Sequence, residues 1–169
     1  MNAEPELDDL DLRLLEALQS NARSTFAELA ALVGLKPPAV HDRVKRLERL
    51  GYVRGYAARL DARRLGFELV AFVSAYTTPD VDYDAFTTAI AALPEVAEIH
   101  SVAGDESFVL KVLTRSTDHL DEFLGRLKAL RGMARTKTTI VLSTVHQRES
   151  LPLQGLAAAP AARLRAVSP

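Results

Sequence analysis

The apolar residues of this chain change their period once, and that change sets the fold. From Leu7 to Leu50 they recur at helical spacing. From residue 68 onward, strand-like and helix-like segments alternate. No single element satisfies both periods, so the chain divides into a helical first part and a mixed second part.

In "LDDLDLRLLEALQSNAR", Leu7, Leu10, Leu14 and Leu18 form one apolar stripe of an amphipathic helix. Asp8, Asp9 and Asp11 are expected in its first turn, where the helix dipole favours anions. Thr25 with Glu28 three residues on reads as a capping box. A short helix follows, with Phe26, Leu29, Ala30 and Val33 inward, and Gly34 ends it. A third helix is expected from Pro38 to Leu50, burying Val40, Val44, Leu47 and Leu50. Two helices joined by a Gly-containing turn of about four residues read as a helix-turn-helix, whose second helix enters the DNA major groove.

Charge supports that reading. The 169-residue chain has a net charge of −1, yet residues 36–64 hold nine cations against Asp42, Glu48 and Asp61. A basic block in a neutral chain suggests a local anionic partner. "YVRGYAARLD" reads as a short hairpin or strand, a candidate wing whose Arg54 and Arg59 would meet phosphates.

The second part gives strands at 68–78, 96–103, 107–114 and 134–147, with helices after residues 82 and 116. The order is β-α-β-β-α-β, a ferredoxin-like unit. Two helices cover one face of such a sheet. The first strand is apolar on both faces, so a second copy of the sheet is the simplest cover, which predicts a homodimer. The fold class is therefore α+β: residues 1–55 a winged helix-turn-helix, 56–66 a linker or hairpin strand, 67–149 a ferredoxin-like βαββαβ dimerisation domain, and 150–169 a flexible tail.

The chain has no cysteine, which excludes disulfides and thiolate metal sites. No run approaches the roughly 18 apolar residues of a membrane span, and the acidic N-terminus is unlike a signal peptide; we expect a cytoplasmic protein without a membrane partner. His100, His119 and His146 show no metal-ligand spacing. No cofactor is expected.

Order and spacing together resemble the Lrp/AsnC, or feast/famine, family of transcription regulators. The carriers are "LDDLDLRLLEALQSNAR", "ELAALVGL…V..RVKRLERLGYVRGY", the turn "VAGDESF" and the terminal "TKT". The resemblance implies a DNA-binding regulator that dimerises through its C-terminal sheets and assembles into octamers. It also implies a small effector, commonly an amino acid, held near the "VAGDES" loop and the last strand. The residues so placed are Val102, Ala103, Gly104, Asp105, Ser107, Thr136 and Thr138. For DNA, the recognition helix and its flanks offer Lys36, Pro38, Ala39, His41, Asp42, Lys45, Arg46, Arg49 and Arg54, on a palindromic duplex operator.

The chain departs from the family at Lys36, where Ser or Thr is usual, and at Ser107, where the turn commonly carries a second carboxylate. Ala103 stands where a Ser is frequent. Glu106 is expected on the opposite face of the hairpin. Arg43 is expected to pair with an acid of the first helix or with Glu48, and His119 to face outward. Two other classes fit the same scaffold: a siroheme-type tetrapyrrole decarboxylase using His100 and Arg135, and a DNA-binding architectural protein without an effector.

Overall fold

The computed structural model describes residues 7–148, 150–153 and 156. The chain forms two compact units, one of residues 1–58 with 147–169, the other of residues 59–146.

The first unit contains α1 (Asp9–Ser20), α2 (Phe26–Val33) and α3 (Pro37–Arg49). Helix α1 begins after Asp8, which is its N-cap rather than a first-turn residue. Asp8 and Asp11 bond each other's backbone N–H groups, at 2.8 and 3.1 Å, in a reciprocal capping box. Thr25 and Glu28 do the same for α2. Gly34 closes α2 at φ 74°, a left-handed conformation that glycine adopts without a Cβ penalty. Leu14, Leu18, Leu29, Val33, Val40, Val44 and Leu47 make one core. Phe26, expected inward, is 39% exposed and packs edge-on against His41.

Helix α3 starts one residue earlier than expected. Lys36 is extended, with φ −84° and ψ 147°, but Pro37 is already helical. The proline ring presets a helical φ, and the first turn needs no N–H donor there. Residues 52–61, the expected wing, contain no strand. The segment has no ladder partner among the described residues, and an isolated extended stretch is not a sheet.

The second unit is a four-stranded antiparallel sheet in the order β2-β3-β1-β4, formed by β1 (Leu69–Thr77), β2 (Val96–Ser101), β3 (Phe108–Thr114) and β4 (Met133–Ile140). Helices α4 (Tyr83–Ala91) and α5 (Thr117–Lys128) complete the βαββαβ order. Asp82 and Ser116 cap them by accepting from the backbone N–H of Ala85 and His119. Ala71, Val73 and Ala75 of β1 and Phe108, Leu110 and Val112 of β3 bury against Phe86, Ile90, Leu120, Phe123 and Leu127. The other sheet face carries Phe72, 41% exposed, and the Arg135 guanidinium 3.9 Å from the Tyr76 ring centroid. Strand β4 ends at Ile140, short of the expected residue 147.

Gly132 sits where α5 turns into β4. Its φ is +91°, and a Cβ there would stand 2.4 Å from Val81 Cγ2. Gly132→Ala is expected to lower stability by about 2 kcal/mol, from strain plus overpacking. Gly125→Ala, in open space on α5, should instead stabilise by about 0.5–1 kcal/mol. Thermal melts of the two variants should move in opposite directions.

Candidate functional site

Helix α3 is amphipathic in the sense the DNA reading needs. Val40, Val44 and Leu47 are buried, while Pro38, Ala39, His41, Asp42, Lys45 and Arg49 are exposed, as are Lys36 before the helix and Arg54 after it. The Lys36 side chain makes no cap hydrogen bond, and Pro37 and Pro38 supply no donors, so Ala39 has the first outward-pointing N–H of the helix. Lys36, Arg49 and Arg54 have no hydrogen-bond or ion-pair partner among the described residues. They are cations held next to a helix face and left to solvent. Lys45 pairs with Glu48 at 2.9 Å, and Glu48 also accepts from the Tyr56 hydroxyl at 3.0 Å. His41 Nδ1 lies 3.3 Å from Asp42 Oδ1.

Arg46 is not part of the free set. Asp11 is fully buried and accepts from Arg43 Nη1 at 2.9 Å and from Arg46 Nη2. Arg43 also donates to Asp8 at 2.7 Å. The expected pairing of Arg43 with the first helix is present. Arg46, expected to point at DNA, is turned inward by the same carboxylate. One buried acid on α1 thus fixes the rotation of α3 about its axis.

The second cluster is the connection from β2 to β3. Val102, Ala103, Gly104 and Asp105 are exposed. Ser107 is half-buried and occupied by the fold: its N–H donates to the Ala75 carbonyl at 3.0 Å and its hydroxyl lies 2.8 Å from that of Thr77. Glu106 does not turn away as expected. A Cβ on Gly104 would stand 3.6 Å from Glu106 Oε2, so this carboxylate lies over the loop. Thr136 pairs with Ala75 and Thr138 with Val73 on the far side of β1. The loop and Thr136 therefore share one end of the sheet with β1 between them, about 10 Å apart by strand spacing. Both threonines are half-buried on the helix-covered face.

His119 is not outward-facing. Its Nδ1 accepts from the Arg115 N–H at 3.3 Å, which places the proton on Nε2, 2.8 Å from Glu95 Oε1. Arg126 donates to the same oxygen. His100 bonds Glu98 at 3.0 Å, and Lys111 bonds Glu98 at 2.7 Å. Among the described residues, no group of three or more His, Asp or Glu is placed to hold a metal ion. No helix there is long and apolar enough to cross a membrane.

Asp8, Glu95 and Glu98 hold their protons less tightly than usual. For Asp8 and Glu95, burial pushes the pKa up, but hydrogen bonds outweigh it and the net direction is down: the Asp11 N–H and Arg43 act on Asp8, Arg126 and His119 on Glu95. For Glu98, Lys111 and then His100 lower it. The unfolded chain therefore takes up protons first, near the usual values of 3.8 and 4.5, and stability is lost as pH falls through the lower folded values. Thermal melts should show a Tm that declines from about pH 5 to about pH 3. A Tm that rises over that range would contradict the networks.

An AsnC-type helix-turn-helix model matches residues 7–48, and a Lrp/AsnC ligand-binding-domain model matches residues 70–151. The HTH-type transcriptional regulator LrpA of Mycobacterium tuberculosis is 37% identical over 147 residues, 86% of this chain and 97% of that protein. This chain belongs to the Lrp/AsnC family. The leucine-responsive regulatory protein of Escherichia coli is 35% identical, over 88% of this chain and 93% of that protein. Among solved structures, a transcriptional regulator from Neisseria meningitidis in complex with L-Met superposes with a TM-score of 0.86 at 29% identity, covering 89% of this chain and 99% of that one. Like its Lrp/AsnC relatives, the chain is a helix-turn-helix transcription regulator with a sensing domain. These relatives are named as regulators, which favours that function over the decarboxylase alternative.

Reading the sequence missed two pairings. Arg46 is held by Asp11, and Glu48 is shared by Lys45 and Tyr56. The first had a signal: Asp11 falls at helical spacing with Leu14, Leu15 and Leu18, the residues buried in α1. An acid on a buried stripe requires a cation from a neighbouring element.

Proposed function

We propose that the α3 surface reads duplex DNA and that a small amino acid, bound by the sensing unit, sets the strength of that reading. The observation that carries the DNA half is the set of cations Lys36, Arg49 and Arg54, which have no partner among the described residues, around the exposed face of α3. Lys36, Lys45, Arg49 and Arg54 hold phosphates, while Pro38, Ala39, His41 and Asp42 face the base edges. The L-Met complex of the Neisseria regulator supports an amino-acid effector. Val102, Ala103, Gly104 and Asp105 line its site, Thr136 and Thr138 close its far side, and Ser107 shapes the loop. Asp105 with Glu106 supplies the negative charge an ammonium group needs. A homodimer through the sheet face of Phe72 and Tyr76 presents two copies of α3 to a two-fold operator, and dimers assemble further, to octamers. The protein works in the cytoplasm.

The test is binding to a duplex from the chain's own upstream region, across a salt series, with and without L-Met. The association constant should fall with a log–log slope of about −0.9 per phosphate neutralised. L-Met should change affinity by about fivefold or more. A flat salt dependence would sink the DNA reading. An unchanged affinity, together with no L-Met-induced rise in Tm, would favour an effector-independent architectural protein.

A further inference from the structure

The chain passes between its two units twice, at residues 58–59 and again at 146–147. The second passage returns it to the helical unit. There, Gln19 in the last turn of α1 exchanges two hydrogen bonds with the backbone of Leu151. The Leu151 N–H donates to Gln19 Oε1 at 2.6 Å, and Gln19 Nε2 donates to the Leu151 carbonyl at 3.4 Å. A side-chain amide carries an acceptor oxygen and a donor nitrogen in a single plane, so it pairs with a backbone residue much as a strand does. Leu153 packs on the helical core, and the Leu156 N–H donates to the Leu153 carbonyl at 3.2 Å. Leu151, Leu153 and Leu156 border an apolar hollow of about 310 Å³, whose other walls include Leu12, Leu15, Tyr52 and Tyr56.

We propose that this groove is the receptor for the segment of this chain that carries Leu151, Leu153 and Leu156, and that the docked segment is a second tether carrying the state of the sensing unit to the recognition helix. The regulatory half rests on the effector reading above. Its path is short in elements. Strand β4, which carries Thr136 and Thr138, runs on toward Leu151 with no helix or strand after Ile140 among the described residues. Leu151 is bonded to α1, and α1 carries Asp11, which holds Arg43 and Arg46 of α3. The segment that follows β4 is thus bonded to α1, and α1 carries the acid that holds α3.

The docking is poised rather than locked. Leu151 is 70% exposed and Leu156 47% exposed, so the segment is held by one amide pair and one leucine. A contact that small opens and closes at low cost, which is what a switchable element requires.

The chain lacks cysteine, so Ser20→Cys with Pro152→Cys makes a unique pair for a short bis-maleimide. We expect both thiols consumed and a band that runs slightly ahead of the untreated monomer on a denaturing gel, weakened by adding Leu153→Asp. No cross-link, or a band at twice the mass from exchange between copies, overturns the own-chain docking. The second arm uses a chain ending at Arg148. It should bind L-Met as the full chain does, by thermal shift, yet lose about fivefold or more of the L-Met effect on DNA affinity. A truncated chain with its L-Met response intact overturns the tether. If L-Met binds neither chain, the effector reading and with it the regulatory half fail, while the cross-link still decides the docking.

Discussion

Asp11→Ala is expected to destabilise the helical unit by about 3 kcal/mol, the low end of what breaking a buried ion pair costs. The acid is fully buried and serves two guanidinium groups. Its removal leaves Arg43 and Arg46 without their shared acceptor. Each is 28% exposed and can partly turn to water, and Asp8 still holds Arg43. For a unit of this size the melting transition should drop by on the order of 15 °C. Asp9→Ala is the control: Asp9 is an exposed acid in the same turn, and its loss should stay within about 0.5 kcal/mol. If the two variants melt within a few degrees of each other, the clamp does not hold α1 to α3. Asp11→Asn should fall between them, since an amide oxygen accepts only as a neutral partner.

Much of this molecule was legible before any coordinates. The period change separates the two units, and the cap of α2 can be read from Thr25 and Glu28, because caps act within three residues of themselves. What was lost depends on partners distant in sequence. Glu95 and His119 are 24 residues apart, and no local pattern marks a histidine as half-buried. The wing failed for a related reason: alternation shows that a segment can be a strand, but pairing needs a second strand. The threonines of β4 show the same limit. Period two groups Thr136 with Thr138, yet only the register against Ala75 and Val73 puts them on the helix-covered face. For the loop, strand alternation sent Glu106 away, whereas the chain between Ser101 and Phe108 is not a strand and need not alternate.

Lys36→Ala and Arg49→Ala are each expected to reduce the salt slope of DNA binding by about 1, with affinity falling about tenfold at physiological salt. The expectation at Lys36 comes from the prolines after it. A helix N-terminus ordinarily offers several N–H groups to a phosphate. Here Pro37 and Pro38 take the first two helical positions, and Lys36 provides no side-chain cap. On the proposed DNA reading, the ammonium group one residue earlier replaces those donors, so the phosphate would meet a flexible point charge instead of a fixed dipole. Arg49 is the counterpart at the other end of the helix. Arg46→Ala separates binding from folding. Its guanidinium is committed to Asp11, so this variant should lower the melting temperature and leave the salt slope within experimental error of the parent. If Arg46→Ala reduces the slope as much as Arg49→Ala does, then Arg46 leaves Asp11 when DNA arrives, and the clamp is itself part of the contact.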